Sequence, residues 1–360
     1  MENLLHVPWS IIKISVSKFI NELKEGNLYK LSSISETTLL STTFALLIQK
    51  SFNYEIDKNV IDVLKNSQVK ETGLFLDGKI KESNLSNEKK SYLINQTTYF
   101  SRLILRELNI DFEQINDSLI PSYINVESWI DSFNWDFPWD CSNDIMFVLD
   151  FCFNIPTNKK KIEIGKKILD VLAKRQNIES GLWGTNRASL LASMSGSMHF
   201  YPFFIKFYGE VPYSQKIINS VFSLQKSGFF YPLLGGGVCP DYDGIASLVW
   251  LNACSDRGTI ALVSAFSSLF SSLTNEGLFI EAKRLIGEQP PNDIEDKVKD
   301  WMLSDIHKYS GWHSMKYTVS KPNLWACYLR SISLATIQQF LVGKTEIFFN
   351  NSCGLGWYNK

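Results

Sequence analysis

Apolar residues return along this chain at the three-and-four spacing of helices, and tracts of strictly alternating β-branched residues are missing. Leu93, Thr97, Phe100, Leu103, Ile104 and Leu108 fall on one helical face. So do Ile164, Ile168, Leu169, Val171 and Leu172, and again Ile217, Ile218, Val221, Phe222 and Leu224. The helices are punctuated by a recurring turn, in which a Gln is followed by a Gly, one spacer and an aromatic. It reads Gln68…Gly73-Leu74-Phe75, Gln176…Gly181-Leu182-Trp183 and Gln225…Gly228-Phe229-Phe230. Shorter copies stand at Gly277-Leu278-Phe279 and Gly354-Leu355-Gly356-Trp357.

Consecutive glycines from Gly181 to Gly277 lie 47 and 49 residues apart, and the Gly73-to-Gly181 interval is about twice that. Roughly 50 residues hold two helices of ~15 residues and their connections. The glycine serves where the chain leaves a helix at positive φ, and the aromatic staples the turn to its neighbour. The expectation is an all-α, single-domain array of helical hairpins, an (α/α)6-type toroid around a central cavity. Residues 1–60 are helical without the repeat and read as an N-terminal cap, and 61–360 form the toroid in one continuous domain. Leu76 to Lys90 is polar and reads as an exposed loop, and Pro290-Pro291-Asn292-Asp293 as a turn within the array.

Composition narrows the function classes. Of 360 residues, 45% are apolar and 20% charged, which excludes wholesale disorder. Lys plus Arg total 36 against 37 Asp plus Glu, without the basic excess of a nucleic-acid binder. The basic run Lys159-Lys160-Lys161 with Lys166 and Lys167 reads as the wet face of a helix. No apolar run approaches the ~18–20 residues that span a bilayer. Glu2, His6 and Lys13 make the N-terminus unlike a secretory signal. Six scattered cysteines without a C-x-x-C pair read as reduced thiols, and the expected location is cytoplasmic.

These motifs resemble the α/α-toroid proteins of the prenyltransferase and squalene-cyclase repeat family. The turns look like that family's Gln-rich motif, and Gly235-Gly236-Gly237-Val238-Cys239-Pro240-Asp241-Tyr242-Asp243-Gly244-Ile245 looks like its acidic segment at the top of an inner helix. Trp135-Asp136-Phe137-Pro138-Trp139, Tyr309-Ser310-Gly311-Trp312 and Asn323-Leu324-Trp325-Ala326 are similar to segments of bacterial single-domain members. The resemblance runs from about Gln68 to Phe340. It implies a class II terpene-cyclase-like enzyme and a hydrophobic, isoprenoid-like small molecule as ligand. In such enzymes a protonated Asp facing an aromatic pocket gives its proton to an alkene, and Asp243 matches that donor with Asp241 assisting. The family pattern is Asp-x-Asp-Asp, however, and here the last position is Gly244.

From the residues alone, the carboxylates at the start of a helix have two readings. They either cap its free backbone N–H groups or form a proton-sharing pair whose affinity burial adjusts. A calcium loop is excluded because no acidic residue follows Asp241-Tyr242-Asp243-Gly244 at the required distance. Zinc as held by protein prenyltransferases would need a thiolate where Ile245 stands. A different site from Cys239, Asp241 and His307 or His313 is the remaining zinc reading, and no metal is expected. Aromatics of turns and inner helices, Trp183, Phe230, Trp250, Tyr309, Trp312 and Trp325, are the candidate lining of the cavity. His199 is either a packed, hydrogen-bonded histidine or an acid–base group of the pocket. Nucleophile elbows, phosphate-binding loops and dinucleotide fingerprints are missing. A non-catalytic toroid that binds a lipid-like or peptide ligand, a homodimer or accessory subunit among its forms, is the rival reading.

Overall fold

Helices that must be apolar on every side can only sit inside other helices, and two kinds of helix separate on that criterion. They are followed here in a computed structural model, which describes residues 5, 7, 9–153, 158–226, 228–230, 238–274 and 323–347. In chain order the helices are α1 (Trp9–Leu23), α2 (Leu39–Ser51), α3 (Lys58–Asn66), α4 (Gly78–Glu82), α5 (Asn87–Glu107) and α6 (Val126–Asp131). There follow α7 (Pro138–Phe153), α8 (Lys159–Arg175), α9 (Leu190–Met198), α10 (Tyr201–Tyr208), α11 (Ser214–Leu224), α12 (Val238–Trp250), α13 (Asp256–Thr274) and α14 (Leu324–Val342).

Helix α12 buries every residue from Val238 to Val249, and α2, α7 and α14 are buried nearly all round. By contrast α11 buries only Ile217, Ile218, Val221 and Phe222, and α3 only Val60 and Leu64. The buried helices touch in succession: α2 on α5, α5 on α7, α7 on α9, α9 on α12, α12 on α14, and α14 back on α2. The one-faced helices lie against them, α8 on α7, α11 on α9 and α12, and α13 on α12 and α14. The N-terminal segment read as a cap thus contributes α2, which packs between α5 and α14.

The Gln turn is a joint between consecutive hairpins. Gln176 Nε2 donates to the Gly181 carbonyl and to the Pro212 carbonyl that precedes α11, both at 2.6 Å. Gln68 bridges Gly73 and Glu113 in the same way at 2.8 and 2.9 Å, and Gln225 bridges Gly228 and Ala261 at 3.2 and 2.8 Å. The three glycines have φ of +75°, +75° and +84°. A Cβ on Gly73 would lie 2.3 Å from the Gln114 carbonyl oxygen, and one on Gly228 2.4 Å from that of Ser264. Both conformation and space therefore require glycine.

The motif aromatic is docked through its backbone. The N–H of Phe75 donates to Thr98 Oγ1 of α5 at 3.0 Å, and that of Trp183 to Ser197 Oγ of α9 at 2.9 Å. A fourth joint precedes α2, where Gly26 has φ +60° and the Tyr29 N–H donates to Thr42 Oγ1 at 3.0 Å.

The chain is mostly helical, consistent with the all-α expectation, and carries one small sheet besides. Residues 24–38 hold an antiparallel sheet of β1 (Lys24–Glu25), β2 (Leu28–Lys30) and β3 (Thr37–Thr38), whose strands are too short to produce an alternating pattern. The expected loop between Leu76 and Lys90 contains α4, started by Asp77, whose Oδ1 accepts from Lys79 N and Oδ2 from Leu39 N. Within the basic run, Lys161 is buried and not on a wet face. Its Nζ bonds the Ile115 carbonyl and pairs with Asp117 at 2.9 Å.

Buried charge joins α5 to α7. Asp150 accepts from Arg106 at 3.1 and 3.4 Å, and the Arg102 guanidinium stands 3.9 Å away. Arg102 is enclosed between the rings of Phe112 and Phe151, and burial lowers its pKa to about 10.

Candidate functional site

Where the buried helices converge they enclose a cavity of about 90 Å³. From α5 it is lined by Tyr92, Gln96 and Phe100, and from α7 by Trp139, Asn143, Met146 and Phe147. His199 at the end of α9, Cys239, Tyr242 and Asp243 of α12, and Trp325 and Leu329 of α14 complete the wall. No Lys or Arg lines it among these residues.

Asp243 is the only carboxyl among the described residues of this wall. It is 3% exposed, and its Oδ2 has no hydrogen-bond partner among the described residues. Burial pushes its pKa well above the ordinary carboxylate value, and the charge of Asp241 adds to the shift. The neighbouring Ser195 hydroxyl pulls the other way, second to burial and ahead of Asp241 in size. Asp243 is therefore held toward its neutral, proton-bearing form.

Asp241 has a different occupation. Its Oδ1 accepts the backbone N–H of Phe230 at 2.7 Å. That is the position of Thr98 and Ser197 at the other two joints, so Asp241 docks the motif aromatic onto α12. It does not line the cavity. Gly244 follows from the same joint, because a Cβ there would stand 2.3 Å from the Phe230 ring. The Phe230 ring therefore leaves no room at this position for a side chain, a carboxylate included.

His199 lines the cavity opposite a second polar anchor. Its Nδ1 lies 2.8 Å from Ser142 Oγ of α7, and burial lowers its pKa to about 3, so the ring is neutral. Trp325 is held by its indole N–H, which donates to Cys239 Sγ at 3.1 Å, and it packs on Phe44 and Phe100. Burial raises the Cys239 thiol, which is therefore no ready thiolate.

Of the residues singled out in the sequence, the cavity brings together Asp243, His199, Cys239 and Trp325. Trp183 is packed among Phe200, Tyr201 and Phe204, with its indole N–H on the Leu172 carbonyl at 2.7 Å. Phe230 is wedged on Gly244, and Trp250 closes the far end of α12, ~10 Å from Asp243 along the helix. Tyr309, Trp312, His307 and His313 lie outside the described residues, as do the turns at Gly277, Pro290 and Gly354. Among the described residues no group of three His, Cys, Asp or Glu is placed to hold a metal.

The wall contributed by α5 and α7 was not anticipated. Its signal was an amide inside an apolar stripe: Gln96 between Tyr92 and Phe100, and Asn143 between Trp139 and Met146, each at helical spacing.

No family model matches the chain, and neither a curated protein nor a solved structure matches it significantly. Among the described residues no helix is long and apolar enough to cross a membrane.

Proposed function

We propose that the chain is an α/α toroid whose central cavity carries out protonation-initiated isoprenoid chemistry, with Asp243 as the acid. The observation that carries this reading is a buried carboxyl, pushed toward its neutral form by desolvation and with one oxygen unpartnered among the described residues, in a wall of aromatic rings. The closed succession of contacts from α2 round to α14 supports the toroid. Transfer of the Asp243 proton to an alkene or epoxide leaves a carboxylate facing a carbocation. The ring faces of Phe100, Phe147, Trp139 and Trp325 stabilise that cation through their quadrupoles. Asp241 assists by docking the joint before α12 and by adding to the proton affinity of Asp243.

A cavity of about 90 Å³ holds about three waters at ~30 Å³ each, so it receives one branched alkene or epoxide terminus and not a whole chain. Without a cation in the described wall, an uncharged reacting end fits it best. The test is incubation with C15, C20 and C30 prenyl substrates, comparing the wild type with Asp243→Asn. The variant should lose at least the ~10²–10⁴-fold that a positioned acid contributes. Turnover unchanged in Asp243→Asn eliminates it as the acid.

The small volume also favours a second reading, a non-catalytic toroid holding a small apolar ligand. Native mass spectrometry of the purified protein separates the two, since a retained ligand with no turnover of the panel supports the second. Zinc chemistry would require His307 or His313, and Cys239 already takes the Trp325 indole N–H.

A further inference from the structure

The cavity that holds Asp243 also holds His199, and the hydrogen bonds around Ser142 fix which nitrogen of that ring carries the proton. Ser142 has one hydroxyl hydrogen. Its Oγ lies 2.9 Å from the Trp139 carbonyl, one turn back on α7, and 2.8 Å from His199 Nδ1. At 2.9 Å the hydroxyl is at donating distance from the carbonyl, which also accepts from Asn143 Nδ2 at 2.9 Å, and we assign its hydrogen there, as helical Ser commonly does. Oγ is then left to accept from Nδ1–H. The imidazole is the Nδ1–H tautomer, and Nε2 carries a lone pair. No described residue bonds Nε2, and the ring lines the cavity.

Resting on the proposed acid role of Asp243, we propose that His199 Nε2 is the base that ends the reaction, held in that tautomer by Ser142 as a positioning residue. The Asp243 O–H bond breaks and a C–H bond forms on the alkene, whose π electrons move to the new bond and leave an adjacent cation. A C–H bond beside the cation then breaks, its electrons form a new C=C, and its proton goes to Nε2. Substrate and product are isomers. The enzyme resets when the imidazolium returns its proton, through water, to the Asp243 carboxylate. The site is thus an isomerase that gives and takes one proton, and no water oxygen enters the product.

Two measurements test this. Long-range ¹H–¹⁵N spectra of the ring nitrogens, with His199 assigned by comparison with His199→Gln, should show Nδ1 protonated and Nε2 bare. Ser142→Ala should mix the tautomers, and Ser142→Thr should restore the wild-type spectrum. An Nε2–H tautomer in the wild type overturns the proposal whatever the activity. In D₂O, wild type acting on the C15, C20 and C30 panel should give an isomer with one deuterium. His199→Gln should form that isomer at least 100-fold more slowly, with water-quenched alcohol in its place. The same isomer at the wild-type rate from His199→Gln overturns the base while leaving the acid standing. Loss of all products in Asp243→Asn but not in His199→Gln separates the two roles, and full activity in Asp243→Asn sinks the acid reading instead.

Discussion

If Asp243 is held neutral by burial, replacing it by asparagine should change stability in a way that depends on pH, and the sign is fixed. A carboxyl whose folded-state pKa is raised contributes its full stability only below the unfolded value of about 3.9, and loses it as pH rises through the folded value. The cause here is desolvation of a side chain that is 3% exposed, with Asp241 as the lesser contributor. Asparagine does not titrate, so the stability of Asp243→Asn relative to wild type should climb with pH by up to about 1.4 kcal/mol per unit. Between pH 4.5 and 6.5 that amounts to as much as about 2.7 kcal/mol, over a constant offset from exchanging hydroxyl for amide. Urea unfolding of both proteins at half-unit steps reads the difference directly, since every other titrating group is common to the pair. A flat difference would mean that Asp243 titrates as in the unfolded chain. A falling one would mean that the fold stabilises its charged form, and the neutral-acid reasoning would be refuted.

Three further outcomes follow from the same contacts. Asp241→Ser should keep the acceptor for the Phe230 N–H and unfold near the wild-type midpoint, whereas Asp241→Ala strands a buried donor and should cost about 1–3 kcal/mol, read by urea titration. Gly244→Asp, which completes the cyclase pattern on paper, should destabilise by about 1–3 kcal/mol because its Cβ meets the Phe230 ring at 2.3 Å; combined with Phe230→Ala the two losses should be less than additive by urea unfolding, since the clash needs the ring. Asp150→Asn leaves two arginines without their buried counter-charge and should cost about 3–5 kcal/mol in the same unfolding assay; a loss under 1 kcal/mol would show that the cluster is not electrostatically coupled.

The joints were legible in the sequence because they depend on short-range chemistry. A Gln that satisfies two carbonyls, a glycine with no room for Cβ and a following aromatic all fall within eight residues of each other. The copy at Gly26 and Tyr29 was hidden, since a two-residue spacer and a short strand replace the usual single spacer. Trp183 and Phe230, aromatic and part of the motif, read from sequence as cavity lining. Their backbone bonds to Ser197 and Asp241 instead draw them into the seam between turn and helix. The walls from α5 and α7 required knowing that these helices face α9 and α12, and periodicity cannot say which apolar stripe meets which. The burial of Lys161 is illegible in sequence for the same reason, since only the tertiary approach of Ile115 and Asp117 makes a buried ammonium tolerable.

Helical geometry explains why two acids separated by one residue do different work. Successive residues on a helix turn by about 100°, so Asp241 and Asp243 stand roughly 200° apart around α12. One must face away from whatever the other faces. Asp241 turns toward the incoming joint and takes the Phe230 N–H, and Asp243 turns to the cavity beside His199. The pair therefore cannot share a proton at contact, and the influence of Asp241 on Asp243 is felt across the helix, behind burial in size. It follows that the docking function of Asp241 can pass to a hydroxyl, as at Thr98 and Ser197. The acid role proposed for Asp243 cannot, because a hydroxyl in that wall has no acidic proton to give.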